Sequence, residues 1–409
     1  MFIFADTYIT TPFSDGTAAI TREIDLGQVK ELNFSVGVGL SGYDFTVTLV
    51  TQPKHYDIIK GYVVGYIKDD NGTPIVFGVC SKVSIDEKKQ ETVLEFSGIN
   101  RMLRGIYLPS NDLTYNSGGT VGELAYSITA SSKLGVLKNI IKKAYNMRGY
   151  MGFPFKWDTP TQTGTAYVYN VYAGDFKVLA DVVSDYIERE NVPAYRWTFT
   201  QNNINAPTLS VSQIATQTAS LKLATKAIKD ISTLQYDISN CAGTALFVTQ
   251  TMDSNNIEKY DTVTEYTLAP FMPLQAAITG HDNVVETETK RAYCRERIAQ
   301  KPAVSITVTC DQYTTAPYSE TFNPSNIGKI VSFPYNANGN IRYLYGVVTL
   351  AEYEDNSTVK LTLSNVQLQE TDVLDVATMS QQTATPKTTL NLLNTLSNNL
   401  GSQTVKPKS

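Results

Sequence analysis

The sequence predicts a mainly β, α+β protein built around two related β-units with α+β segments between them. Three observations carry this expectation. Apolar residues recur at every second position over long stretches, the period of half-buried strands. Strand-forming side chains are abundant: Tyr occurs 25 times and Thr 49 times, while charged residues make up 18%, below the roughly 25% of ordinary soluble chains. A pattern of turn glycines and strand valines at residues 61–97 also returns at 328–364. The 409 residues exceed a typical domain of about 150 by two to three times, so several packed units are expected. An apolar content of 42% suffices for real cores and argues against bulk disorder.

The elements follow in order. Leu32, Phe34, Val36 and Val38, then Phe45, Val47 and Leu49, alternate with small or polar residues and predict two antiparallel strands around a Gly-rich turn. Residues 61–97 continue as a β-meander through an Asn71-Gly72 turn and a charged EKKQE turn. GINRMLRGIYLP is a short segment ended by Pro109, and the Ser/Asn/Gly-rich SNDLTYNSGGT after it reads as a boundary. Leu134, Leu137, Ile141 and Ala144 predict a helix with Ser131 or Ser132 as N-cap. A second helix, capped by Asp175, carries the stripe Phe176, Leu179, Val183, Tyr186 and Ile187. Aromatic strands AYVYNVY, YRWTFTQ and TLSVSQ complete an α+β insertion. Strands resume in ALFVTQT and DTVTEYTLA, followed by a charged helix in VVETETKRAYCRERIAQ that Pro302 stops. In AVSITVTC, Val304, Ile306, Val308 and Cys310 face one side of a half-solvated strand. From about 371 the tail is Thr/Asn/Gln/Ser-rich with a weak stripe of Leu390, Leu393, Leu396 and Leu400, expected to be loose or ordered by a partner.

The repeat is the most informative feature. Gly61, Val64, Asn71-Gly72, Gly78-Val79, Thr92-Val93 and Ser97 are matched in order by Gly328, Val331, Asn338-Gly339, Gly346-Val347, Thr358-Val359 and Ser364. One chain then offers two similar units, and a ring of three chains presents six. Ring closure satisfies head-to-tail contacts without forming a fibre and covers strand edges.

Chemistry is sparse by comparison. The net charge of −5 and pI near 5.3, with no Lys/Arg run beyond two residues, leave no basic footprint for gripping nucleic acid. No apolar stretch approaches a membrane helix, and MFIFADTY lacks a basic n-region, so synthesis in the cytosol without membrane insertion is expected. Cys80, Cys241, Cys294 and Cys310 have no paired spacing and read as reduced, partly buried thiols. GVGLSG at 37–42 matches a dinucleotide-binding glycine pattern in letters, but a strand follows it, so it reads as a hairpin turn. The two histidines, His55 and His281, are far apart in sequence, which weighs against a triad or a multi-histidine metal site. Asp86 and Glu87 beside Lys88 and Lys89, and Glu286 and Glu288 near Lys290 and Arg291, read as solvated charged faces. The tyrosines suit sugar stacking as well as strand packing. No catalytic, cofactor-binding or metal-binding residue is assigned.

The order GYDFTVTLV, GYVVGYI, PIVFGVCSKV, TVLEFSGINRML with Arg104 and Pro109, then NIGKIVSFPY, YLYGVVTLAEY and TVKLTLSN resembles the phage tail baseplate hub family, including the amino-terminal module of tail-associated lysins. The resemblance spans about residues 30–365. It implies two tube-forming β-barrel domains, at 1–105 and 301–370, with an α+β outer domain at 106–235, some of whose strands complete the first barrel, a linking α+β domain at 236–300 and a weakly structured tail at 371–409. It further implies a homotrimer of pseudo-sixfold symmetry joining a sixfold tail tube to a threefold tip. The implied partners are a tail tube or distal tail protein ring, a tape-measure protein and tip or fibre proteins, with DNA passing during ejection and the protein located at the virion tail tip. Longer relatives add a peptidoglycan hydrolase after the hub, whereas some forty weakly patterned residues follow here, so no enzymatic activity is expected. Two other readings stay open on the residues alone, a glycan- or receptor-binding tail-tip protein and a polysaccharide hydrolase with a carboxylate pair.

Overall fold

Most of the alternating stretches join one large, mainly antiparallel sheet, and the rest form smaller sheets beside it, because each strand has a single apolar face to bury. The computed structural model describes residues 3–12, 18–23, 26–50, 62–108, 124–147, 156–157, 163–172, 177–190, 192–200, 208–214, 220–237, 241–252, 258–266, 275–279, 287–298, 303–311, 313–315, 320–337, 340–354 and 357–369. Strands β1 (Ile3–Pro12), β2 (Ala18–Glu23), β3 (Val29–Gly37), β4 (Gly42–Leu49), β5 (Tyr62–Lys68), β6 (Pro74–Asp86) and β7 (Glu91–Ser97) form the first unit. Leu32, Phe34 and Val36 of β3, Phe45, Val47 and Leu49 of β4, and Leu94 and Phe96 of β7 are buried on one face, as the alternation predicts. The short segment after β7 is helix α1 (Ile99–Arg104), which packs Ile99 and Leu103 inward.

The insertion carries β8 (Tyr107–Leu108), β9 (Leu124–Ala130), α2 (Lys133–Met147), β10 (Lys156–Trp157), β11 (Tyr167–Tyr172), β12 (Lys177–Val178), α3 (Leu179–Glu190), β13 (Tyr195–Thr200) and β14 (Thr208–Gln213). The Ser132 hydroxyl accepts the Gly135 N–H at 3.0 Å and caps α2, whose Leu134, Leu137, Ile141 and Ala144 are buried. Helix α3 begins later than the sequence suggests. Lys177 and Val178 pair with β8 and the Leu179 N–H donates to the Ile106 carbonyl at 2.7 Å, so a ladder occupies what reads as the first turn. Leu179, Val183 and Tyr186 are buried and Asp181 and Asp185 exposed, as expected for an amphipathic helix. Asp175, Phe176, Pro109, the 110–120 boundary, Asn338-Gly339 and the tail from 371 lie outside the described residues.

Next come β15 (Ser220–Lys222), β16 (Ile228–Ile231), β17 (Gln235–Asp237), β18 (Thr244–Met252), β19 (Glu258–Tyr266), β20 (Gln275–Thr279) and α4 (Thr287–Ile298). Strands β18 to β20 form a sheet of their own, on which Phe247, Ala245 and Cys294 of α4 make a small second core. Lys290 is a correction: expected on a solvated face, it is 4% exposed, because α4 lays that side against the sheet. The chain ends its described part with β21 (Ala303–Asp311), β22 (Tyr313–Thr315), β23 (Glu320–Thr321), β24 (Ile330–Ala337), β25 (Asn340–Glu354) and β26 (Thr358–Gln369). Val304, Ile306, Val308 and Cys310 are buried.

Both units belong to one 14-stranded sheet. Its first unit runs in the order β3-β4-β7-β6-β5 and its second in the order β16-β21-β26-β25-β24. The path is the same in both: the unit's first strand, its neighbour, then the three meander strands in reverse. Ladder details repeat as well. β6 has a bulge between Cys80 and Lys82, and β25 has one between Val348 and Leu350. The Ser81 hydroxyl donates to the Glu95 carbonyl at 3.1 Å, and the Thr349 hydroxyl to the Thr362 carbonyl at 3.2 Å. The strand register shifts two sequence matches. Gly65 faces Gly78 as Val331 faces Gly346, so Gly65, not Val64, is the counterpart of Val331. Thr92 faces Ile85 as Val359 faces Tyr353, so Thr92 corresponds to Val359, not Thr358.

Candidate functional site: the sheet junction and its free edges

The two units meet where β3 pairs antiparallel with the second half of β25, with Leu350, Ala351, Glu352, Tyr353 and Glu354 opposite Gly37, Val36, Ser35, Phe34 and Asn33. Phe34 and Tyr353 stack across this junction at 4.4 Å and 7°. The Tyr353 hydroxyl donates to the Phe322 carbonyl at 2.5 Å, and burial pushes its pKa well above the ordinary tyrosine value. Beyond the ladder, the Val38 N–H donates to the Thr349 carbonyl at 2.8 Å. Strand β25 is thus divided, its first half paired with β24 and its second with β3.

Its counterpart β6 is used differently. Pro74–Val79 pair with β5, whereas Lys82–Asp86 have β7 on one side and no strand on the other among the described residues. Val83 is 36% and Ile85 56% exposed. At the opposite end of the sheet, β16 and β17 pair with β21 alone among the described residues, and Tyr236 is 42% exposed. Alternation alone does not mark Val83, Ile85 or Tyr236, although the repeat holds the signal for the first two. Aligning Gly78-Val79 with Gly346-Val347 sets Val83 and Ile85 in the places of Ala351 and Tyr353.

The glycine motif at 37–42 is a hairpin turn between β3 and β4, with Gly39 and Gly42 at φ +63 and +81. It is also a docking point for the insertion. Trp197 Nε1 donates to the Gly39 carbonyl at 2.9 Å, the Gly39 N–H to the Tyr195 carbonyl at 2.7 Å, and Asn100 Nδ2 to the carbonyls of Leu40 and Gly42. Tyr43, at φ 74, is fully buried; its hydroxyl donates to the Gly37 carbonyl at 2.8 Å and accepts the Trp197 N–H at 3.1 Å. Removing that hydroxyl in Tyr43→Phe leaves two buried backbone groups unpaired, so urea unfolding is expected to show a loss of about 1–3 kcal/mol.

The remaining sequence candidates do not converge. Asp86 Oδ1 accepts the N–H groups of Lys88 and Lys89 within a turn, and Glu288 pairs with Arg291 at 2.7 Å along α4. Glu286, His55 and His281 lie outside the described residues. Among the described residues no group of His, Cys, Asp and Glu has the arrangement of a metal site, and no helix is long and apolar enough to cross a membrane. All four cysteines are free. Burial pushes Cys80 up to about 11 and Cys310 up to about 12, so neither supplies thiolate at neutral pH. Tyr43, Tyr66, Tyr169, Tyr186, Tyr195 and Tyr353 are buried, others such as Tyr343 and Tyr345 are half-buried, and Tyr107 and Tyr236 are exposed.

Among solved structures the chain is similar to a 43 kDa tail protein of prophage MuSo2 from Shewanella oneidensis, at 12% identity and TM-score 0.48, over 88% of this chain and 98% of that one. It is similar to the prophage tail protein gp18 from Listeria monocytogenes EGD-e, at 12% identity and TM-score 0.45, over 88% and 94%. It is also similar to a tail protein from Neisseria meningitidis MC58, at 7% identity and TM-score 0.46, over 88% and 96%. No protein-family model and no curated protein sequence matches the chain.

Proposed function

We propose that the chain is a structural, non-enzymatic component of a phage tail, the hub of the tail tip. Three copies form a ring of six like β-units that joins a sixfold tail tube to a threefold tip and forms part of the DNA-ejection channel. The observation that carries this reading is the duplicated strand path within one sheet, with matching bulges and matching bulge hydrogen bonds. A chain that contains the same unit twice can occupy adjacent positions in a ring of doubled order. The sequence resemblance to tail hub proteins points the same way. In this reading 1–105 and 301–370 hold the two tube domains, strands from 220–237 extend the second, and the α+β segments lie outside. An acidic ring, with each copy contributing −5, suits DNA in transit, since strong phosphate contacts would hold it.

Mass measurement in solution combined with negative-stain imaging tests the reading. The expected result is a three-chain particle with a central pore and six similar lobes around it. A chain that stays monomeric at its highest soluble concentration, or closes as a twofold dimer, overturns it.

A further inference from the structure

Among the described residues the sheet contains one filled docking position and one open position of the same form. At the filled one, β3 lies along Leu350–Glu354 of β25 and covers Ala351 and Tyr353, which are 0% and 2% exposed. At the open one, the corresponding stretch Lys82–Asp86 of β6 follows the same bulge and is paired to β7 as β25 is paired to β26, yet Val83 and Ile85 are left exposed. The strand that would fill it also exists in the chain, at the wrong end. The counterpart of β3 in the second unit is β16 with its continuation into β17. Val29 and Ile228 face Leu49 and Cys310, and each is followed by a bulge, at Lys30 and Lys229. The match continues outward, since the Ser232 N–H donates to the Thr307 carbonyl at 2.9 Å where Asn33 pairs with Thr46. β3 has neighbours on both sides, β4 and β25, while β16 and β17 have β21 on one side and no strand on the other among the described residues.

We infer that the 232–236 edge of one copy adds as an antiparallel strand to Lys82–Asp86 of β6 in a second copy of this chain, repeating between copies the junction that joins the units within a copy. This rests on the assembly reading above and specifies its interface. The internal register transfers directly: Ile85 faces Thr233 as Tyr353 faces Phe34, and Asp86 faces Ser232 as Glu354 faces Asn33. Donor edge and acceptor edge are different surfaces, so the contact is head-to-tail and closes as a ring, not as a twofold dimer. Backbone pairing supplies its direction and Val83 and Ile85 supply apolar area. The internal junction buries an aromatic stack, whereas the one between copies sets Ile85 against Thr233. The smaller contact fits copies that fold separately and join afterwards. The open edges also account for the placement of charge, since Lys82 on β6 and Lys229 on β16 are the kind of edge residue that discourages indiscriminate strand pairing.

The test uses the full chain. Ile85→Lys is expected to leave circular dichroism, and the melting temperature measured at concentrations where the wild type is a single copy, unchanged, because the side chain is exposed there, and to weaken self-association at least 30-fold in sedimentation. In a Cys80→Ser background, Ile85→Cys combined with Thr233→Cys is expected to give a ladder of covalent multimers on mild oxidation, and neither cysteine alone does so. A wild-type chain that never associates overturns both the assembly reading and this interface. If the wild type associates, but Ile85→Lys associates equally well or the double cysteine variant forms no bond between copies, the interface is overturned and the assembly reading stands.

Discussion

Tyr353→Ala is expected to lower unfolding free energy by about 3–5 kcal/mol, measured by urea denaturation, because a fully buried aromatic ring is replaced by a cavity. The ring stacks on Phe34 at 4.4 Å and its hydroxyl reaches the Phe322 carbonyl, so one truncation removes packing between the units and a hydrogen bond within the second. Tyr353→Phe separates the two contributions. It keeps the stack and leaves one buried carbonyl unpaired, for an expected loss of about 1–3 kcal/mol. The same hydroxyl gives a pH signature. Burial raises the pKa of Tyr353 above its ordinary value of 10.0, so the stability it contributes is fully present below about pH 10. That stability declines as pH rises from there through the higher folded value. Tyr43 and Tyr195 are raised by burial in the same sense and add to the alkaline decline. Tyr353→Phe is expected to be less sensitive to pH above 10 than the wild type, and an equal decline in both would show that this hydroxyl does not couple to unfolding.

Alternation in the sequence determines which face of a strand is buried, and this is why β3, β4, β7 and β21 were legible. Neighbours are a different matter. The pairing of β3 with β25 joins residues some three hundred positions apart, and nothing in the period of either strand distinguishes a partner from solvent. Val83 and Ile85 alternate with Lys82, Ser84 and Asp86 as any half-buried strand does, so the sequence reads β6 as evenly covered although its second half is open. Only comparison with the buried Ala351 and Tyr353 of the other unit exposes the difference. The glycine motif was legible as a turn because a strand follows it. Its role in receiving Trp197 was not, because that contact depends on backbone carbonyls, which carry no sequence signal. The burial of Lys290 is hidden from the sequence for a related reason. Charge patterning along α4 describes the helix alone, while the sheet of β18 to β20 decides which side is covered.

Gly98→Ala is expected to destabilise the first unit by about 3 kcal/mol, at the upper end of overpacking effects. A Cβ at Gly98 would lie 2.1 Å from the Tyr43 carbonyl oxygen and 2.6 Å from its carbon, and backbone cannot swing aside as a side-chain tip can. The Gly98 N–H is held by Asp44 Oδ1 at 2.8 Å, so moving Gly98 away costs that bond, while moving Tyr43 disturbs the hydroxyl shared between Gly37 and Trp197. The strain therefore propagates to the turn and to the insertion docked on it. Trp197 is one of two tryptophans in the chain, and its indole N–H is bound to Gly39, so a red shift in emission is expected along with the lower melting temperature. Gly72→Ala is the control for backbone conformation without a clash. Gly72 has φ +76 and nothing within 4 Å of the added carbon, and its replacement is expected to cost about 1 kcal/mol with tryptophan emission unchanged. If the two variants melt alike, the close contact between α1's N-terminus and β4 is not what holds the turn in place.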